Sequence, residues 1–286
     1  MTLERPSELR VICQAGKDAD PRWYFVHRRV SIYLTWLLLH TRIMPNQVTL
    51  VMMLTGVLGA VLLVPRSAAA NVAGFAVLYL AFLLDKVDGE IARYRRVTSA
   101  KGLLLDRLYH LAAEPLIFLA AAWHDWSRSG RLSAWMAGWG VVVLGNIVDE
   151  HQHLSAYILF KHLKGTHQVP VTGDRTPSPR LMLALKLLRP LKGFRMFIVA
   201  VPALAAAYAI EAWSGWPAIR AYLFTSAAGL GAFLAFQAYY YFQFKLEAEI
   251  GEQAAFLADD AGGSEHATGA ADPPHRDPPL RAVIHR

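Results

Sequence analysis

Residues 85–110, DKVDGEIARYRRVTSAKGLLLDRLYH, begin at the end of one apolar run and lead into another. Ionisable groups at that depth in hydrocarbon are costly and usually functional. Asp85 and Asp88 lie on one helical face with Ala92, and Gly102, Asp106 and His110 form a second line with one turn between neighbours. On two antiparallel helices joined by the basic turn between them, these rows can face each other. Gly89 and Ala92 are small, which lets a ligand or another helix approach the backbone. Carboxylates gathered in a low dielectric repel one another and would partly protonate. A divalent cation removes that penalty, and oxygen donors suit Mg²⁺, Mn²⁺ or Ca²⁺ rather than zinc. Mg²⁺ is usually held between carboxylates and substrate phosphates, so the pattern points to a nucleotide or diphosphate ligand. Arg93, Arg95, Arg96 and Lys101 would complement its charge. The plainer alternative pairs the carboxylates with these arginines as ordinary juxtamembrane charges.

The elements that must position these groups are apolar. The chain has 286 residues, is 55% hydrophobic and carries a net charge of +7. That hydrophobicity is high for a soluble domain and points to a membrane protein. The positive charge then belongs to cytoplasmic loops and anionic headgroups rather than to nucleic acid. A single cysteine, Cys13, excludes an internal disulfide framework. The first residues lack the apolar core of a signal peptide. Spanning hydrocarbon takes about 20 apolar residues in a helix, and six segments qualify: 47–64, 71–94, 102–123, 133–160, 193–212 and 218–243. The linkers at 65–70, 124–132 and 213–217 carry few charges and are flanked by tryptophans, whereas the alternate linkers are strongly basic. The positive-inside rule therefore places both termini and the basic loops in the cytoplasm of a multi-pass inner-membrane protein.

The expected fold is all-α and integral to the membrane. It comprises an N-terminal segment (1–19), an amphipathic helix on the cytoplasmic leaflet (20–43), six spans within 44–249, and a disordered tail (250–286). A second polar cluster, Asn146, Asp149, Glu150, His151 and His153, interrupts the fourth apolar run at a depth comparable to Asp85 and His110. His151 and His153 point different ways on a helix, so Asp149 with His153 is the better same-face pair. The cluster serves either acceptor recognition or pairing between helices. Arg175 and Arg195, in the basic loop and at its end, would hold a phosphorylated ligand or attract anionic lipid.

The spacing Asp85-xx-Asp88-Gly89-xx-Ala92-Arg93-x8-Gly102-xxx-Asp106-xxx-His110 resembles the signature of the CDP-alcohol phosphotransferases (CDP-alcohol phosphatidyltransferases). It matches at every defined position but the last, where the family has aspartate. The resemblance extends over about residues 20–245 and implies a commonly dimeric membrane enzyme. Such an enzyme breaks the diphosphate of a CDP-activated donor, passes the phospho-group to a hydroxyl and releases CMP. It further implies that Asp85, Asp88 and Asp106 bind Mg²⁺ or Mn²⁺, while Asp88, Gly89, Ala92, Arg93 and Gly102 flank the nucleotide diphosphate. PNQVT at 45–49 resembles a family element that brings Asn46 and Thr49 to the nucleotide, although Asn46 would also serve as a helix cap. His110 stands where the family's base is expected. An imidazole suits that work near neutral pH, and Glu114, one turn on, would fix its tautomer. The alternatives are that His110 ligates the metal, or that the chain binds CDP compounds or lipid without turnover. The commonest reaction in the family takes CDP-diacylglycerol to a small polar hydroxyl acceptor. Transfer from a soluble CDP-alcohol to a lipid or polyol is the rival.

Overall fold

The structure, a computed structural model, describes residues 4–15, 24–163, 176–246 and 248–251. Regular structure among them is entirely helical. In chain order the helices are α1 (Pro6–Cys13), α2 (Tyr24–Leu39), α3 (Pro45–Leu63), α4 (Ala68–Arg95) and α5 (Ala100–Leu108). A π turn (Tyr109–Ala113) leads into α6 (Leu116–Ser129), and α7 (Ser133–Glu150) follows. Then come α8 (Leu154–Leu163), α9 (Pro179–Leu188), α10 (Phe197–Ser214) and α11 (Ala218–Tyr240), which continues into a second π turn, Tyr241–Lys245. Among the described residues, four helices are long and apolar enough to cross a membrane: α3, α4, α10 and Ala218–Lys245.

The two remaining expected spans are broken elements. Residues 102–123 divide into α5, the π turn and α6, because Pro115 has no N–H to continue the helical ladder. Residues 133–160 are interrupted by a 3₁₀ turn at His151–His153. Within the expected 20–43 segment the chain forms helix α2, while positions 20–23, the 164–175 part of the basic loop, and the tail from 252 lie outside the described residues.

The chain divides into two units, Met1–His151 with Ser178–Ala238, and Gln152–Pro177 with Tyr239–Arg286. In the first, two apolar cores meet along α4. Leu78 and Phe82 join a cluster with α6, α7, α10 and α11. Leu84, Val87 and Ile91 join another with α1, α2, α3 and Tyr109. Small residues set the close approach of α3 to α4. A Cβ on Gly59 would lie 2.6 Å from Leu78 Cγ, and one on Gly74 would lie 2.9 Å from Leu63 Cδ2. Gly59→Ala is therefore expected to lower stability by about 1–3 kcal/mol through overpacking, read as a drop in the midpoint of thermal unfolding.

Several buried polar groups in this unit tie its helices together. Glu90 accepts hydrogen bonds from Gln14 (2.8 Å), Ser31 (2.7 Å) and Thr35 (2.5 Å), tying α2 and the chain after α1 to α4. At the end of the bundle that holds Trp123, Trp126 and Trp135, Arg220 makes a two-pronged ion pair with Asp125 at 2.9 Å. Arg128 there reaches Glu211 at 2.5 Å. Burial pushes the Cys13 thiol up to about 11, which leaves it protonated and unreactive at neutral pH.

Candidate active site

The residues singled out by spacing converge because of how three helix ends are built. Helix α3 starts at Met44 with Pro45 in its first turn, and Gln47 accepts the Met44 N–H at 2.8 Å. Asn46 is thus not the cap. Its side chain is left to line a cavity. Helix α4 stops at Arg96, whose φ of 54° turns the chain left-handed. Three residues later Ser99 caps α5 by accepting the Gly102 N–H at 3.0 Å. This tight link turns the chain back so that α5 packs against α3 and Asp106 comes close to Asp85.

The cavity has a volume of about 400 Å³, within the range of small-molecule sites. Its lining includes Asn46, Thr49, Asp85, Asp88, Gly89, Ala92, Arg93, Gly102, Asp106 and His110. Asp85, Asp106 and His110 offer ligand atoms that all lie within 4.8 Å of one another. Asp88 is held differently, with one oxygen receiving Thr49 Oγ1 at 2.7 Å and the other the Gly89 N–H at 2.6 Å.

His110 stands between two sets of carboxylates. Its Nδ1 is 2.5 Å from Glu114 Oε2, and its Nε2 is 3.6 Å from both Asp85 Oδ1 and Asp106 Oδ1. Its Nδ1 thus faces Glu114, and its Nε2 faces the two aspartates and the cavity.

Gly89 and Arg93 are complementary in the same sense as Gly102 and Asn46. A Cβ on Gly89 would meet Arg93 Nη1 at 3.2 Å, so the missing side chain lets the guanidinium fold over the helix. Arg93 Nε donates to the Cys13 carbonyl, which fixes the fork at the cavity wall. A Cβ on Gly102 would lie 2.9 Å from Asn46 Oδ1. Gly102→Ala must therefore turn Asn46 away. Losing one polar contact of about 1 kcal/mol predicts roughly fivefold weaker binding of a ligand in this cavity, measured by titration calorimetry.

Asp149 and Arg195 pair with each other outside the cavity lining, and Glu150 pairs with Arg107. His153 is exposed and belongs to the second unit, and Arg175 lies outside the described residues. Lys86, Arg28 and Ser99 also line the cavity, although helical spacing does not mark them. The ammonium of Lys86 lies against Asp85 and over the Phe82 ring at 4.9 Å. A lysine inside an apolar run and next to an aspartate is itself an intramembrane charge, and that signal was available in the sequence.

The profile of the CDP-alcohol phosphatidyltransferase family matches residues 42–235, a stretch that contains every cavity aspartate and His110. The chain belongs to the CDP-alcohol phosphatidyltransferase family. No individual curated protein matches it. It is an integral-membrane phosphotransferase that takes a phosphatidyl-type group from a CDP-alcohol. Such enzymes generally depend on a divalent metal. Two carboxylates and an imidazole gathered within 4.8 Å fit that requirement.

Proposed function

We propose that the enzyme transfers a phosphatidyl group from CDP-diacylglycerol to the hydroxyl of a small polar acceptor, with release of CMP. The observation that carries this reading is the cavity in which Asp85, Asp88, Asp106, Arg93 and His110 meet beside an apolar helix surface. A donor that is half nucleotide and half lipid suits such a border. Asp85, Asp88 and Asp106 would hold Mg²⁺ or Mn²⁺, which when bound neutralises charge on the diphosphate oxygens. Arg93 orients the same diphosphate, with its guanidinium anchored on the Cys13 carbonyl.

His110 Nε2 takes the proton of the acceptor hydroxyl while Glu114 holds the imidazole through Nδ1. The acceptor oxygen bonds to the β-phosphorus, the bridge to the α-phosphate breaks, and CMP departs with the electron pair. A second reading, in which His110 ligates the metal, is favoured by its place in the three-donor group with Asp85 and Asp106.

The proposal includes six membrane crossings, with the two broken elements completing the four long helices. It also includes α2 on the cytoplasmic leaflet, the active site facing the cytoplasm, and a homodimeric assembly, as the charge pattern and the family support. The test is CMP release by purified protein with Mg²⁺ or Mn²⁺, offering CDP-diacylglycerol or CDP-choline as donor with pooled acceptors. Release from CDP-diacylglycerol alone is expected. Release from CDP-choline alone overturns the donor assignment, and dividing the pool then names the acceptor.

A further inference from the structure

The π turn that carries His110 is short of backbone donors. In a continuous α-helix the carbonyl of Leu111 would accept from the N–H of residue 115, but residue 115 is proline. The carbonyl of His110 would accept from Glu114, but the Glu114 N–H goes to Tyr109 O at 2.9 Å. The next donor along from Glu114 is again the missing one at Pro115. Two adjacent carbonyls are thus left without ladder partners inside an apolar bundle, where an unsatisfied carbonyl is costly.

Side chains from two other segments supply what is missing. Asn146 of α7 donates Nδ2 to Leu111 O at 3.4 Å. Arg195, which precedes α10 and is buried, donates Nη2 to His110 O at 3.2 Å. The two side chains are joined, since Arg195 Nη2 also donates to Asn146 Oδ1 at 2.5 Å. Asp149, one turn beyond Asn146 on α7, pairs with the opposite side of the guanidinium. The arginine reaches this position only because α7 is bare where it crosses. A Cβ on Gly145 would lie 2.1 Å from Arg195 Cδ.

We infer that Asn146 and Arg195, braced by Asp149, are positioning residues that hold the π turn open and thereby aim His110 between Asp85 and Asp106. This rests on the reading of His110 as a working group of the site, whether base or ligand. It assigns Asp149 and Arg195 to the support of the active site rather than to the acceptor.

The test combines turnover with hydrogen exchange over residues 109–116 in the full-length protein. Asn146→Ala is expected to speed exchange of that segment. It should lower kcat by about tenfold, the scale of losing a group that orients an active-site histidine, while donor KM and metal-dependent CDP binding stay within twofold. Arg195→Lys, which keeps a cation for Asp149 but cannot fork between His110 O and Asn146, is expected to do the same and serves if Asn146→Ala fails to fold. Pro115→Ala returns an N–H to position 115. In that background the exchange effect of Asn146→Ala should fall below twofold, a rescue that general loss of packing would not give.

Unchanged exchange in both single variants overturns the inference, as does an undiminished effect with Pro115→Ala. Faster exchange without loss of kcat also overturns it, provided His110→Ala is itself inactive. If His110→Ala turns over normally, the role given to His110 has failed instead, and the exchange data alone decide the clamp.

Discussion

Asp106→Asn is expected to slow CMP release by about 10³-fold or more, the scale of removing a charge that stabilises transferring phosphoryl groups. The substitution keeps the size and hydrogen-bonding reach of the side chain and deletes its charge, so the π turn and the α4–α5 link should remain intact. What it removes is one of three donors brought within 4.8 Å of each other. An amide oxygen is a weak substitute where a cation must be held against the repulsion of its own ligands. Asp106 is also the most exposed of the three carboxylate or imidazole groups, with 46% of its side chain accessible. Its replacement therefore strands no buried hydrogen bond and costs the fold little. The checks are steady-state CMP release across a Mg²⁺ or Mn²⁺ titration and a thermal unfolding midpoint. Chelation of the unsubstituted enzyme should silence it, with activity restored by adding either ion. If Asp106→Asn keeps activity within tenfold at saturating metal, Asp106 is not a ligand.

How much of this could be read from residues alone depended on whether the cause was local. Asp85, Asp88, Asp106 and His110 were legible because helical periodicity fixes which side chains share a face, and a short capped link such as Arg96 to Ser99 leaves two helices little choice but to fold back. The apolar helices α3, α4, α10 and α11 were legible for the same reason, since length and composition decide them. The π turn was not. Pro115 is visible in the sequence, but whether it ends, kinks or bulges a helix depends on what neighbouring helices offer the freed carbonyls. Asn146 and Arg195 make that offer from 35 and 85 residues away. The pairing of Asp149 with Arg195 rather than with His153 escaped for the same reason, as did the release of Asn46 from capping by Gln47. Each of these depends on a partner outside the local turn, and periodicity carries no information about it.

His110→Ala should lower kcat by about 10²–10³-fold, the usual contribution of a positioned general base, while leaving metal-dependent binding of CDP within a fewfold of the unsubstituted enzyme. The split between turnover and binding follows from geometry. The groups proposed to face the diphosphate, Asp88, Arg93 and Asn46, are anchored by Thr49, the Cys13 carbonyl and the α3 start, none of which depends on the imidazole. The imidazole is anchored separately by Glu114 at 2.5 Å. Glu114→Gln should then cost about 10-fold in kcat, as loss of a carboxylate that orients a histidine does. Its effect should vanish in a His110→Ala background, because a positioning group has nothing left to position. The ligand reading predicts a different pattern. There His110→Ala raises the metal concentration needed for CDP binding, and excess Mn²⁺ recovers part of the lost rate. Recovery at high metal would therefore move His110 from base to ligand, whereas a rate that stays low at every metal concentration leaves proton removal as its work. Full turnover by His110→Ala would remove it from the chemistry altogether and would shift the base to a carboxylate of the same cavity.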